Sequence, residues 1–124
     1  ALGAVKKPIG LELFSVRKAF AEDQTATLKA VAKMGYDGVE FFGPYAEWTP
    51  DHARATRKLL DDLGIKCLSA HTGAKYFTPE HLDRVIELNT ILGSRFMIMS
   101  SAGKVESLDG WKEVAVKLNL AAEK

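Results

Sequence analysis

Apolar and polar positions along the chain alternate between two rhythms. In one, apolar residues recur every three to four positions, as on one face of a helix. Leu28, Val31 and Ala32 form a first such stripe, Ala53, Thr56, Leu59, Leu60 and Leu63 a second, and Leu82, Val85, Ile86 and Leu92 a third. They predict helices over about 23–34, 50–63 and 79–92, with another from 108 onward. Between them lie short runs rich in β-branched, aromatic and aliphatic residues, which predict strands at Ile9–Val16, Gly38–Phe42, Ile65–His71 and Phe96–Ser100.

The punctuation of these elements repeats. Gly35, Gly64 and Gly93 stand 29 residues apart, each just after a helical stripe, and Thr49, Thr78 and Ser107 share that spacing, each just before one. Thr49-Pro50-Asp51-His52 recurs as Thr78-Pro79-Glu80-His81, and Leu63-Gly64 as Leu92-Gly93. A Thr or Ser oxygen satisfies free N–H groups in a first turn, where Pro is tolerated because its missing N–H had no partner. Asp51, Glu80 and Asp109 put negative charge at the positive end of a helix dipole. Glycine at the other end adopts the left-handed conformation that terminates a helix.

Four strand–helix units of about 30 residues imply an α/β fold with a parallel sheet and right-handed crossovers. Eight such units close a (β/α) barrel of about 250 residues; four make half of one. The expected organisation is therefore a single (β/α)4 half-barrel over 1–124. An open doubly wound sheet is the alternative. It often carries a glycine-rich phosphate loop after its first strand, whereas Ser15-Val16-Arg17-Lys18-Ala19-Phe20 contains no glycine.

Composition narrows the partners. Seventeen Lys+Arg against sixteen Asp+Glu leave a net charge of +1, with the basic residues spread along the chain, so neither nucleic acid nor an anionic membrane is expected as a partner. No apolar run approaches the roughly 18 residues that cross a bilayer. Cys67, the single cysteine, has no partner for an internal disulfide and reads as a small buried hydrophobe. Ala1-Leu2-Gly3-Ala4 is compatible with a frayed end or the remnant of a cleaved signal, so a soluble protein is expected, cytoplasmic or exported.

The candidate chemistry follows from strand parity. With Ile9, Leu11 and Leu13 toward the helices, Gly10, Glu12 and Phe14 point into the lumen. Val39 and Phe41 leave Glu40 and Phe42 inward, and Leu68 and Ala70 leave Ser69 and His71 inward. Two carboxylates and an imidazole thus share one side of the sheet, with Glu40 and His71 near the C-terminal strand ends where barrel enzymes place their active sites. A carboxylate in an apolar strand costs several kcal/mol unless it is hydrogen-bonded, paired or bound to a metal. A structural network, with Glu40 holding His71, answers that cost as well as a functional site does. Tyr45 and Trp48 could form a platform for a sugar ring or simply pack their loop, and Tyr76 and Phe77 invite the same two readings. Ser100, Ser101 and Gly103 could meet a hydroxyl or phosphate, or form a turn; His52 and His81 sit in first turns and read as solvated or capping residues.

Leu11-Glu12-Leu13-Phe14-Ser15-Val16-Arg17, Thr27-Leu28, Gly35-Tyr36-Asp37-Gly38-Val39-Glu40-Phe41, Ser69-Ala70-His71-Thr72-Gly73 and the tail from Trp111 to Lys124 together resemble the xylose-isomerase-like TIM barrel superfamily, within it the sugar phosphate isomerase/epimerase family. The resemblance implies a divalent metal (Mn, Mg or Zn) that polarises a sugar's carbonyl and hydroxyl while a carboxylate moves a proton between adjacent carbons. It places the main metal ligands on later strands, so this chain is expected to be the N-terminal half, inactive alone, and the metal need not be bound by this half. The implied substrate is a sugar or sugar phosphate, contacted by Glu40, His71, Phe14 and Trp48. His71 is also a candidate metal ligand, because relatives that are nucleases ligate metal with a third-strand histidine. The expected partner is a second copy of the chain or a C-terminal half. A half-barrel that pairs with itself and binds carbohydrate without catalysis is the competing expectation, and a nuclease would need a basic groove that the composition does not show.

Overall fold

In a computed structural model, described over residues 7–124, each stretch is shaped by its ends. The elements run β1 (Gly10–Glu12), α1 (Arg17–Glu22), α2 (Gln24–Lys33), β2 (Gly38–Phe41), α3 (Pro50–Leu63), β3 (Lys66–Gly73), α4 (Pro79–Leu92), β4 (Met97–Ser101) and α5 (Leu108–Ala122). Single 3-10 turns at Leu13–Val16, Gly43–Glu47 and Ala74–Phe77 follow the first three strands. Ala1 to Ala4, read above as a frayed end or signal remnant, lies outside the described residues. Among the described residues no helix is long and apolar enough to cross a membrane.

The caps follow the expected chemistry with one exception. Asp23 Oδ1 accepts from Ala26 N at 2.8 Å, Thr49 Oγ1 from His52 N at 3.2 Å and Ser107 Oγ from Gly110 N at 3.0 Å. Thr78 does not cap α4; its hydroxyl donates to Lys75 O at 2.7 Å, tying α4 to the preceding turn instead. Gly64 and Gly93 close α3 and α4 at φ +69° and +77°, as the repeat requires.

The four strands form one parallel sheet in the order β1-β2-β3-β4. The chain thus has the half-barrel α/β layout expected from its repeat. Its core lies between sheet and helices, where Leu13, Leu28, Val39, Phe41, Tyr45, Leu60, Ala70, Val85 and Leu88 are almost completely buried. Cys67 is buried there too, as expected. α5 contributes no buried residue and exposes Leu108, Trp111, Val116, Leu118 and Leu120.

Two expectations require correction. The first strand ends at Glu12, not Val16. Glu12 Oε1 accepts from Phe14 N at 2.7 Å, and that capping bond turns the chain into the 3-10 turn and then α1, where a loop was expected. Leu68 does not face the helices. Val39 pairs with Cys67 but Glu40 with Ser69, so Leu68 is an extra residue in a β-bulge. It is 37% exposed and lies against Gly10 and Gly38 on the lumen side. The bulge leaves Cys67 and Ala70 in the core while Ser69 and His71 keep the expected side.

Burial also sets alkaline behaviour. Tyr45, whose hydroxyl accepts from Asn89 Nδ2 at 2.9 Å, is pushed by desolvation from 10.0 up to about 12, and desolvation raises Cys67 from 9.0 to about 11. Both folded values exceed the unfolded ones, so the linked stability is complete below pH 9.0 and lost as pH rises through about 11 for Cys67 and about 12 for Tyr45. Each shift corresponds to about 2–3 kcal/mol. Urea titrations at pH 8 and at about pH 12 should show Tyr45→Phe losing roughly 2 kcal/mol less between the two than wild type does. Equal losses would refute the assignment.

Candidate functional site

Three parallel strands bring their lumen-facing groups to one place. Glu12 ends β1, Glu40 lies one residue from the end of β2, and the pairing sets Glu12 beside Glu40 and Glu40 beside Ser69. His71 stands two residues further along β3 and reaches back. Its Nδ1 lies 2.8 Å from Glu40 Oε1 and 3.9 Å from Glu12 Oε1. Ser69 Oγ donates to the other Glu40 oxygen, Oε2. A carboxylate only accepts, so Nδ1 is the donor in this contact and Nε2 is the ring nitrogen not used in it.

The side chains are partly open to solvent: 18% for His71, 24% for Glu40 and 40% for Glu12. Below them the lumen floor is apolar. Gly10 and Gly38 precede Glu12 and Glu40 by two positions on the same face, and Leu68 lies over both. Ile98, paired with His71 across β3 and β4, continues the apolar surface and is 40% exposed.

The sequence therefore locates Glu12, Glu40, Ser69 and His71 together, and the structure brings them within hydrogen-bonding or ion-pair reach of His71 or Glu40. Phe14 is joined to them through its N–H, held by Glu12; its half-exposed ring meets Phe42 edge-on at 5.8 Å and lies under the Arg17 guanidinium. Trp48 sits elsewhere: its ring partners are Phe41, Tyr45 and His52, the last stacked at 4.3 Å. Tyr45 is fully buried, so it offers no exposed platform. His52 is held by that stack and by Gln24 Oε1 at 3.0 Å from its Nε2, rather than simply solvated. Tyr76 donates to Glu47, which, with help from Lys75, keeps that carboxyl below its ordinary range. Ser100 Oγ donates to Thr72 O at 3.2 Å, and Ser101 Oγ accepts from Gly103 N at 3.1 Å, as in a turn. The bulge that adds Leu68 to the site floor has no signal in the alternation of side chains.

Glu12, Glu40 and His71 each offer a donor atom, all within 4.8 Å of one another, a group placed to hold a metal ion. Carboxylate oxygens and an imidazole nitrogen suit a divalent transition metal.

No family model matches the chain, and no curated protein matches it either. Solved structures do. A sugar phosphate isomerase/epimerase from Parabacteroides distasonis is similar over 99% of this chain and 49% of its own, at 24% identity and a TM-score of 0.73. An AP endonuclease, family 2, from Brucella melitensis is similar over 94% and 50%, at 16% identity and 0.67. A xylose isomerase-like TIM barrel/4-hydroxyphenylpyruvate dioxygenase fusion protein is similar over 96% and 21%, at 18% identity and 0.67. At these identities the likeness is one of fold. The chain has the fold of TIM-barrel proteins and spans about half the length of the first two, the extent expected of an N-terminal half.

Proposed function

We propose that the chain is the N-terminal half of a barrel of the sugar phosphate isomerase/epimerase kind and supplies part of its substrate-binding wall. The observation that carries this reading is the Glu40–His71 pair, buttressed by Ser69 at the C-terminal mouth of the sheet. An imidazole with one nitrogen held by a carboxylate is oriented, and its other nitrogen is available to a sugar hydroxyl. Glu12 adds acceptor capacity toward the same space, and the half-exposed Phe14 ring offers apolar surface to a sugar or sugar phosphate. Trp48 acts through the loop it packs.

The reaction in this reading is proton transfer between adjacent sugar carbons, in which a bound divalent metal polarises the carbonyl and hydroxyl. Glu40 and His71 position the substrate for it. In this reading the remaining groups come from the later strands of the barrel, and the four-strand unit by itself has little or no activity.

The test joins this chain to the complementary half of the Parabacteroides protein and follows exchange of sugar C–H for deuterium in D2O by NMR, with and without Mn2+. Exchange should require both halves and fall about a hundredfold in Glu40→Gln and His71→Asn. A folded chimera with no exchange, or with equal exchange in the variants, would refute the reading.

A further inference from the structure

The pairing of strands leaves an electrostatic problem. Glu12 and Glu40 sit side by side on adjacent strands and the same face, an arrangement that is unfavourable for like charges. Among the described residues neither carboxylate has a Lys or Arg nitrogen within 4.0 Å; the basic group within that distance of both is His71. A neutral imidazole leaves two negative charges together over an apolar floor.

We infer that Glu12, Glu40 and His71 of this half form their own divalent-cation site, and that occupying it reverses the hydrogen-bonding character His71 presents to the lumen. The charge balances, since two carboxylates match one doubly charged ion. Distances fit as well. Donors about 2.0–2.2 Å from a tetrahedral ion lie roughly 3.4 Å from one another. The His71 Nδ1 separations from the two carboxylates, 2.8 and 3.9 Å, lie on either side of that value, so small side-chain rotations suffice.

The ion takes the place of the proton between His71 Nδ1 and Glu40. That proton moves to Nε2, so the ring stays neutral and no net proton is lost. Without the ion, Nε2 accepts hydrogen bonds from hydroxyls; with it, Nε2–H donates to carbonyl or phosphate oxygens. Ser69, still bonded to Glu40 Oε2, holds the carboxylate in both states. The mixed nitrogen and oxygen set favours Zn2+ or Mn2+ over Mg2+, which prefers oxygen alone. This site differs from the metal centre that the sugar isomerase resemblance puts on later strands, and it stands on the geometry of this chain whether or not the substrate is a sugar.

The experiment uses the 124-residue chain and Zn2+ alone. Calorimetry should give one equivalent bound, with Mg2+ in tenfold excess failing to displace it. Affinity should fall tenfold or more in Glu12→Gln and His71→Asn and stay unchanged in Asp62→Asn, a surface control. Glutamine keeps the oxygen that caps Phe14 N, so the first variant should fold. Nitrogen-15 NMR of the His71 ring should show the Nδ1–H tautomer in the free chain and Nε2–H after Zn2+, a readout on wild type that stands even if a variant misfolds. No saturable binding, binding indifferent to Glu12 and His71, or binding that leaves the Nδ1 proton in place would each overturn the inference. Because no substrate is involved, this outcome is separable from that of the deuterium-exchange test.

Discussion

Replacing Phe41 with alanine should lower the unfolding free energy by about 3–5 kcal/mol. Phe41 is 1% exposed, and its ring meets Phe20 at 6.1 Å and Trp48 at 5.3 Å, both edge-on. Truncation removes the transfer free energy of the ring and leaves a cavity between β2 and the helices that these two neighbours fill only in part. A domain of this size is commonly stable by only about 5–15 kcal/mol, so the variant would be close to unfolding. Phe41→Leu keeps most of the volume and should lose about half as much. Denaturant titration of the three proteins checks the order; a loss under 1 kcal/mol for alanine would show that this part of the core is loosely packed.

Gly38→Ala should be nearly as damaging, about 3 kcal/mol, though it adds a single carbon. A Cβ there would lie 2.6 Å from Leu68 Cγ and 2.7 Å from Lys66 O. The leucine can rotate, but the carbonyl belongs to the neighbouring strand and cannot move without opening the pairing of β2 with β3. Gly10 provides the contrast. Its Cβ would meet only the end of Leu68, with the nearest backbone atom at 3.5 Å, so Gly10→Ala should lose roughly 1 kcal/mol. Adding Leu68→Ala should relieve the Gly10 variant and leave most of the Gly38 penalty. If it relieved both equally, the backbone clash would not be the cause.

These sites also mark where the fold is legible in the sequence. α3 and α4 are written twice over, by their apolar stripes and by Pro50 and Pro79 at one end and Gly64 and Gly93 at the other. Local chemistry of that kind needs no tertiary knowledge. The turn after Glu12 depends on a side chain capping its own backbone two residues on, which competes with a β-prone run and wins. α1 is legible only in hindsight: Arg17 to Glu22 are good helix formers, but Phe20 alone is buried, too little for a periodic stripe. Parity located Glu12, Glu40 and His71 because Val39, Phe41 and Ala70 fix the opposite face. It misplaced Leu68, since a bulge breaks the two-residue period on which the reading depends. Trp48 was read from its position in a loop after β2, and position does not say which way a ring turns; its partners Phe41 and His52 are contacts across the fold.

The bulge in β3 makes Leu68 a removable residue. Deleting it would restore a plain alternation in which Cys67 still faces the core and Ser69 and His71 still face the lumen, because Val39 and Glu40 already pair with Cys67 and Ser69. Removal of Cys67 or Ser69 would also even out the strand, but would put Leu68 in the place of the buried thiol or of the serine that holds Glu40. A lineage could therefore gain or lose this one codon without scrambling the carboxylate–imidazole group, and the space left over Gly10 would admit a larger residue there. Chain length at this point and side-chain size at position 10 should vary together among descendants.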